Sequence, residues 1–272
     1  MRLTRLGEVI FALSFAGLGV LSLISGDFAS VWQPVPAWVP GREAIACAWG
    51  LMLLAGGLGM LLPRTARLAT LLITVDVLLW LLLLGLPRVV AHPTNAIIWL
   101  NFGETLMLVT GGWTLLGSFA GQGGSPVVRS ATDARGLRLA LVLYAIALPP
   151  VGVSHFVYLK LTASMVPAWL PYHMGFAYLT GAGHIAAGLG ILFGVLPRLA
   201  ATAEAMMISI FTLLVWVPRI VASPAPRLPL TEFCISAAVA GAAWAIAGSL
   251  QGAAWGLARQ SAPRAESSPG SA

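Results

Sequence analysis

Long apolar stretches separated by short polar breaks follow one another along the chain to about position 250. An α-helix crosses a bilayer core about 30 Å thick with roughly 20 apolar residues, and each stretch is close to that length. The pattern predicts eight transmembrane helices, near 6–26, 44–62, 68–86, 97–117, 137–159, 175–195, 199–217 and 231–250. The expected fold class is all-α, a polytopic membrane protein.

The two halves of the chain resemble each other at one constant offset, which places position 35 on position 166. We call this constant difference in residue number the repeat offset, because similarity at one fixed offset indicates an internal repeat. The matched segments are VPAWVP at 35–40 with VPAWLP at 166–171, GLG at 57–59 with GLG at 188–190, and PRVVAHP at 87–93 with PRIVASP at 218–224. Because four spans return the chain to its starting side, the two copies are expected to be parallel.

The repeat divides the chain into four parts. We expect a first four-helix unit at 1–118, a cytoplasmic linker at 119–136, a second four-helix unit at 137–250 and a tail at 251–272. The tail is rich in Ser, Pro and Ala without an apolar period, which predicts disorder. The Gly, Ser and Arg content of the linker predicts mobility.

Composition and charge agree with a membrane protein. Apolar residues make up 58% of the 272 positions and charged residues 9%, whereas soluble domains carry about 45–50% and about 25%. The net charge of +6 does not indicate nucleic acid, because Lys and Arg stand singly in the loops. Of these 15 basic residues, ten fall in one set of alternate loops and five in the other. This bias predicts a bacterial-type inner membrane protein, embedded in the lipid bilayer, with both termini cytoplasmic.

Several motifs of the second half carry a family resemblance. They are GVSHF at 152–156, VPAWLP at 166–171, YLTG at 178–181 and GLG at 188–190. They resemble the DoxX-like membrane family, whose four-helix unit has the same motifs. The family commonly has a Glu on its second helix where this chain has His184 and, in the first half, Leu53. The resemblance implies an accessory role beside a redox enzyme, since some relatives are subunits of a thiosulfate:quinone oxidoreductase.

Among the ionisable residues inside predicted spans, the candidates for an intramembrane polar site are Asp76, Glu104, His184 and Glu204. Each costs about 2.5–3.5 kcal/mol on insertion scales, so each is a candidate for function. In one interpretation Asp76, Glu104 and His184 line a cavity that exchanges a proton with a quinone-like ligand, with histidine titrating near neutrality. In the other, each is a buried polar group bonded to backbone or to a neighbouring helix.

A second group of residues is predicted at the outer membrane interface. Arg88 and Arg219 recur at the same helix end, where Arg219 either pairs with Glu232 or reaches lipid phosphate. Trp38 and Trp169 lie in the Pro-x-Trp-x-Pro loops, and Trp prefers the headgroup zone.

His155 is expected either to reach the outer interface near Trp169 or to act as a structural hydrogen-bond donor.

The sequence shows none of the usual signatures of a metal centre or bound cofactor. It has no H-E-x-x-H, Cys quartet, Walker glycine loop or G-x-S-x-G, and its two cysteines, Cys47 and Cys234, stand far apart. No metal is expected, and a diffusible quinone is the one cofactor considered. Three functions stay open: an accessory subunit of a redox partner, a bundle that binds or transports a small apolar molecule, and an enzyme acting on a lipid-soluble substrate.

Overall fold

The computed structural model describes residues 2–29, 32–119 and 125–253. The centre of the predicted linker, 120–124, and all of the predicted tail from 254 onward lie outside the described residues. Within the described ranges all regular secondary structure is helical.

Twelve α-helices and two π-helical segments form the described structure. They are α1 (Arg2–Ser25), α2 (Arg42–Met60), α3 (Ala66–Trp80), π1 (Leu81–Gly85), α4 (Leu86–Ala91), α5 (Ala96–Gly117), α6 (Pro126–Ala131), α7 (Ala134–Val157), α8 (Leu159–Met165), α9 (His173–Leu192), α10 (Pro197–Phe211), π2 (Thr212–Trp216), α11 (Val217–Ala222) and α12 (Arg227–Ser249).

Two rods of 26 residues are built from these elements, one from α3, π1 and α4, the other from α10, π2 and α11. The three segments of the first rod begin and end at residues that match, at the repeat offset, the first and last residues of the three segments of the second rod. A π-helical segment is rare and is usually a single-turn bulge inside an α-helix.

Seven helices in the described part of the chain are long and apolar enough to cross a membrane: α1, α2, both rods, α7, α9 and α12. The chain is therefore an all-helical, multi-pass membrane protein. The predicted span at 97–117 forms α5, which has 22 residues but is not among the seven. Asn101, Glu104 and three threonines in α5 lower its hydropathy.

Side-chain caps explain where several helices begin. Asn95 starts α5, since its Oδ1 accepts hydrogen bonds from the backbone N–H groups of Ile97 and Ile98. Asp133 caps α7 in the same way. Ser125 caps α6, so the described part of the linker contains a helix that was not predicted.

The long helices form a closed arrangement. Each contacts its neighbours in the chain, α1 closes against α12, and α5 meets α12 across the centre. One ring thus contains α12, α1, α2, the first rod and α5. The other contains α5, α7, α9, the second rod and α12, so that α5 and α12 belong to both.

Glycines bring α1 and α12 together. A Cβ atom added at Gly7 would lie 2.6 Å from the backbone N of Ala245, and one added at Gly241 would lie 2.6 Å from that of Phe11. Small residues allow such close backbone approach between membrane helices. The first helix of the chain is therefore held against the last one.

Candidate ligand cavity and the His184–Glu204 pair

A cavity of about 390 Å³ lies inside the ring of α5, α7, α9, the second rod and α12. Two carboxyl and two imidazole side chains line it: Glu104, Glu232, His155 and His184. Most of its remaining wall is apolar, including Met107, Val151, Ile208, Phe211, Val215 and Val239. Ligand sites of proteins are typically about 300–1,000 Å³, largely apolar and furnished with a few polar groups.

Glu104, His155 and Glu232 lie in one half of the bundle because of the direction of their helices. Call the end where α1 begins the near end, and the opposite end the far end. Glu104 and Glu232 lie in the first three turns of α5 and α12, which start at the far end, and His155 lies close to the far end of α7. His184 lies deeper, about halfway along α9. The short helix α8 adds Leu161, Thr162 and Met165 at the far end of the cavity.

His184 is bonded to a buried carboxylate. Its Nδ1 atom lies 2.7 Å from Oε1 of Glu204 on α10, and the two side chains are 6% and 0% exposed. Which atom carries the proton depends on the tautomer of the ring. The other carboxylate oxygen of Glu204, Oε2, has no hydrogen-bond partner among the described residues.

Glu204 lies in the wall of a second cavity, of about 530 Å³, between α9 and α10. We call this space the α9–α10 groove. Its other lining residues are nearly all apolar and include the exposed Leu189, Phe193 and Leu199. The groove lies in the near half of the bundle, and Val195 and Leu196 of the loop joining α9 to α10 form part of its wall. The pair of His184 and Glu204 thus lies between the central cavity and the groove.

His155 belongs to the central cavity. Its Nδ1 atom is 2.9 Å from the carbonyl oxygen of Val151, and the centroid of its ring is 5.2 Å from that of His184. The bond to Val151 agrees with a structural role, while the neighbouring histidine ring and the cavity were not foreseen. Glu232, also expected at the outer interface, lines this cavity as well.

Asp76 lies apart from the other predicted residues. It accepts a hydrogen bond from Nε1 of Trp49, at 3.2 Å, between α2 and α3 in the other ring, and it lines neither cavity described above. The structure therefore brings Glu104 and His184 to one cavity, joins Glu204 to it through His184, and leaves Asp76 elsewhere.

Indole rings fill the corresponding part of the other ring. Trp80 lies between Trp32, which meets it edge to face, and Trp49, with centroid distances of 6.1 and 5.7 Å. At the repeat offset, Trp32 and Trp49 match the smaller Ala163 and Thr180. Protein interiors are close-packed, and we attribute the different interiors of the two rings to these larger side chains.

The predicted pairing of Arg219 with Glu232 does not form. Arg219 instead donates a hydrogen bond to the carbonyl oxygen of Ser164, at 3.4 Å, and its guanidinium lies 5.6 Å from the ring centroid of Trp216. Glu232 faces inward, so the two side chains point to different surroundings.

The remaining interface residues lie at the far end. Arg88 lines a small cavity of about 20 Å³ together with Asn101. Trp38 is 80% exposed and Trp169 is 70% exposed, each in the loop before a long helix. Their position is compatible with a headgroup zone.

One signal in the sequence could have revealed the role of Glu232. Asn101 and Glu232 are matched at the repeat offset, and both line the central cavity because α5 and α12 meet at the centre. This matched pair therefore faces the same space. The hydrogen bond between Thr212 and Ser236, at 2.7 Å, was also not foreseen.

The comparisons with known proteins found no match to a protein-family model, to a curated protein or to a solved structure. The class of the protein thus rests on its own fold and site: a multi-pass helical membrane protein with an internal cavity. Among the described residues, no group of three or more His, Cys, Asp and Glu side chains could hold a metal ion. The chemistry available to the cavity is hydrogen bonding and proton exchange by carboxyl and imidazole groups.

Proposed function

We propose that this protein binds a small lipid-soluble molecule in the central cavity, through a polar headgroup of the quinone class. The observation that carries the proposal is the meeting of Glu104, His155, His184 and Glu232 in a largely apolar cavity of about 390 Å³. The apolar wall accommodates a ring and its substituents. The carboxyl and imidazole groups offer partners to carbonyl or hydroxyl oxygens, which an apolar wall alone would leave without hydrogen bonds.

The test is the lipid-soluble content of the purified protein. We expect mass spectrometry of solvent extracts to find a quinone-class compound at near one equivalent with the wild type. Glu104→Leu removes a carboxyl group from the cavity, so the amount of bound compound per protein should fall several-fold. Asp76→Leu is the matched control, because it removes a buried carboxyl group outside the cavity. Phe211→Trp should also displace the ligand, since it adds the indole found at the matched position 80.

Two results would overturn the proposal. One is a wild-type extract that holds no compound above the level of an unrelated membrane protein purified in the same way. The other is equal retention by the wild type, Glu104→Leu and Phe211→Trp. All comparisons use the monodisperse fraction with unchanged helical circular dichroism, so that misfolded protein does not lower the measured ratio of bound compound to protein.

The chain is further proposed to be a tandem duplication of a DoxX-like four-helix unit, with copies at 1–118 and 137–250. The recurrence of the rods' bounds at the repeat offset supports this proposal, in addition to the matched sequence motifs. Location in a bacterial-type inner membrane with cytoplasmic termini is supported by the distribution of basic residues.

An accessory role beside a redox enzyme is implied by the family resemblance alone. The ligand-binding function is preferred to it, and to catalysis on a lipid-soluble substrate, because it rests on the cavity.

A further inference from the structure

We propose that His184 and Glu204 form a proton relay between the central cavity and the α9–α10 groove. The proposal goes beyond ligand binding: it assigns to the bundle a proton path from its far half to its near half. It uses the same cavity, but it does not depend on which molecule the cavity holds.

The first argument is the position of the pair. His184 lines the central cavity, Glu204 lines the groove, and the 2.7 Å contact between Nδ1 and Oε1 is the link between them. A proton can be passed across such a hydrogen bond without movement of the backbone. The two side chains are almost completely buried, so solvent does not bypass this contact.

The second argument is the free oxygen of Glu204. A carboxylate held only for structure normally has both oxygens satisfied, because an unpaired buried acceptor costs free energy. Oε2 of Glu204 has no partner among the described residues, while the residue lies in the wall of the groove. The wall of the groove is apolar apart from Glu204, and Oε2 itself is buried. The relay therefore requires water to enter the groove, whose volume is about 530 Å³, during each transfer and to give Oε2 its proton.

The transfer is balanced in protons and needs no electron donor. At the start, the Glu204 carboxyl group is protonated on Oε1 and donates to Nδ1 of a His184 ring that carries its own proton on Nε2. The carboxyl proton passes to Nδ1, which leaves a carboxylate and an imidazolium. The imidazolium turns about its Cβ–Cγ bond, releases that same Nδ1 proton into the central cavity and turns back, so the ring keeps its Nε2–H tautomer. The carboxylate takes a proton from water in the groove at Oε2 and turns about its Cγ–Cδ bond, which restores the starting state.

The residues around the pair can accept or influence that proton. The titratable groups that face it are Glu104 on α5, His155 and Tyr144 on α7, and Glu232 on α12. His155 is the nearest, with its ring beside that of His184. The only cation on α8, Lys160, is exposed.

The test is proton flux into sealed vesicles that contain the purified full-length chain and a trapped pH-sensitive dye. With a potassium diffusion potential imposed, we expect wild-type vesicles to acidify faster than protein-free vesicles. Glu204→Gln keeps an oxygen that can accept from Nδ1 but cannot carry a proton, so its flux should fall to the protein-free level. Asp76→Asn is the matched control, since it makes the same change at a buried carboxyl group outside the path, and it should keep the wild-type flux.

Glu204→Asp separates titration from structure. It restores an ionisable group with a shorter reach, so it should recover part of the flux that Glu204→Gln loses. Wild-type vesicles no faster than protein-free ones, or equal flux with Glu204→Gln and the wild type, would overturn the relay.

Failure of the relay and failure of the proposed function are distinguishable. If only the relay is wrong, solvent extracts of the purified protein still contain the ligand. If only ligand binding is wrong, the proton flux of the wild type still exceeds that of Glu204→Gln.

Discussion

The buried ionisable side chains differ in the polar partners that replace water. Asp76 takes an indole N–H, Glu204 takes an imidazole, and Glu104 and Glu232 face a shared cavity. A charged or polar group inside a bilayer must find a partner in the protein, because the hydrocarbon offers none. Asp76 can be explained by the protein alone. Glu204 keeps one oxygen without a partner among the described residues, and Glu104 and Glu232 lie in a cavity with room for another molecule, which supports the proposed ligand.

Glycine matters at the residue scale where two helix backbones meet. We predict that Gly241→Ala destabilises the fold, because the added Cβ would lie 2.6 Å from the backbone N of Phe11 on α1. Backbone atoms cannot relieve the clash by changing rotamer, so α1 and α12 must move apart. We expect the free energy of unfolding to fall by about 1–3 kcal/mol. The measurement is denaturant unfolding in detergent, followed by circular dichroism.

Gly175→Ala serves as the control for that prediction. The nearest atom to its added Cβ is Cβ of Tyr172 at 3.6 Å, an ordinary contact. Its free energy of unfolding should equal or exceed that of the wild type. Equal stability of the Gly241→Ala and Gly175→Ala variants would contradict the close approach of α1 and α12.

At the scale of elements, the two rods differ in the cavities that their π-helical segments line. In π2, Val215 and Trp216 line the central cavity, and Thr212 is bonded to Ser236 on α12. In π1, Leu84 and Gly85 contact only the small cavity beside Arg88. A π-helical bulge carries one residue more than the α-helical turn it replaces, and such bulges often lie at functional sites.

Single deletions can test that difference. Removing Leu213, which is exposed in π2, should convert the bulge to α-helix and disturb the cavity wall. We predict a several-fold loss of bound ligand. Removing Leu82, its exposed counterpart in π1 at the repeat offset, should keep the ligand. Equal ligand content in both deletion variants, measured on monodisperse protein, would show that π2 does not shape the site.

At the scale of the whole molecule, α5 decides the topology. It is not among the seven helices that are long and apolar enough to cross a membrane, yet it is central to both rings. A helix surrounded by protein need not be as apolar as one that faces lipid, because its polar groups find partners or cavities inside the bundle. We therefore expect α5 to cross the membrane.

Labelling of introduced cysteines tests this topology. In a Cys47→Ala, Cys234→Ala background, Thr94→Cys lies just before α5 and Ser130→Cys lies in α6, and both positions are exposed. An impermeant thiol reagent added outside intact cells should label position 94 and reach position 130 only after the cells are opened. Labelling of both positions from outside would show that α5 does not cross. Labelling of position 130 alone would reverse the proposed orientation.

Much of the helical framework could be predicted from the sequence. The eight predicted spans fall within a few residues of α1, α2, the two rods, α5, α7, α9 and α12, although both rods run several residues beyond their predicted ends. The short helices α6 and α8 were missed, since helices of six and seven residues leave no long apolar stretch. The sequence also singled out Glu104, His184 and Glu204, because ionisable residues are rare inside apolar segments.

The sequence by itself determined which segments are helical and long enough to span, since helix hydrogen bonds are local and apolar length is read directly from the chain. Only the tertiary structure decided which polar residues share a space. His184 and Glu204 are bonded across two helices, and Asp76 is paired in the other ring. His155, predicted either at the outer interface or as a structural donor, lines the cavity. These outcomes depend on which helices are neighbours and how each is rotated, and packing across the whole bundle settles both.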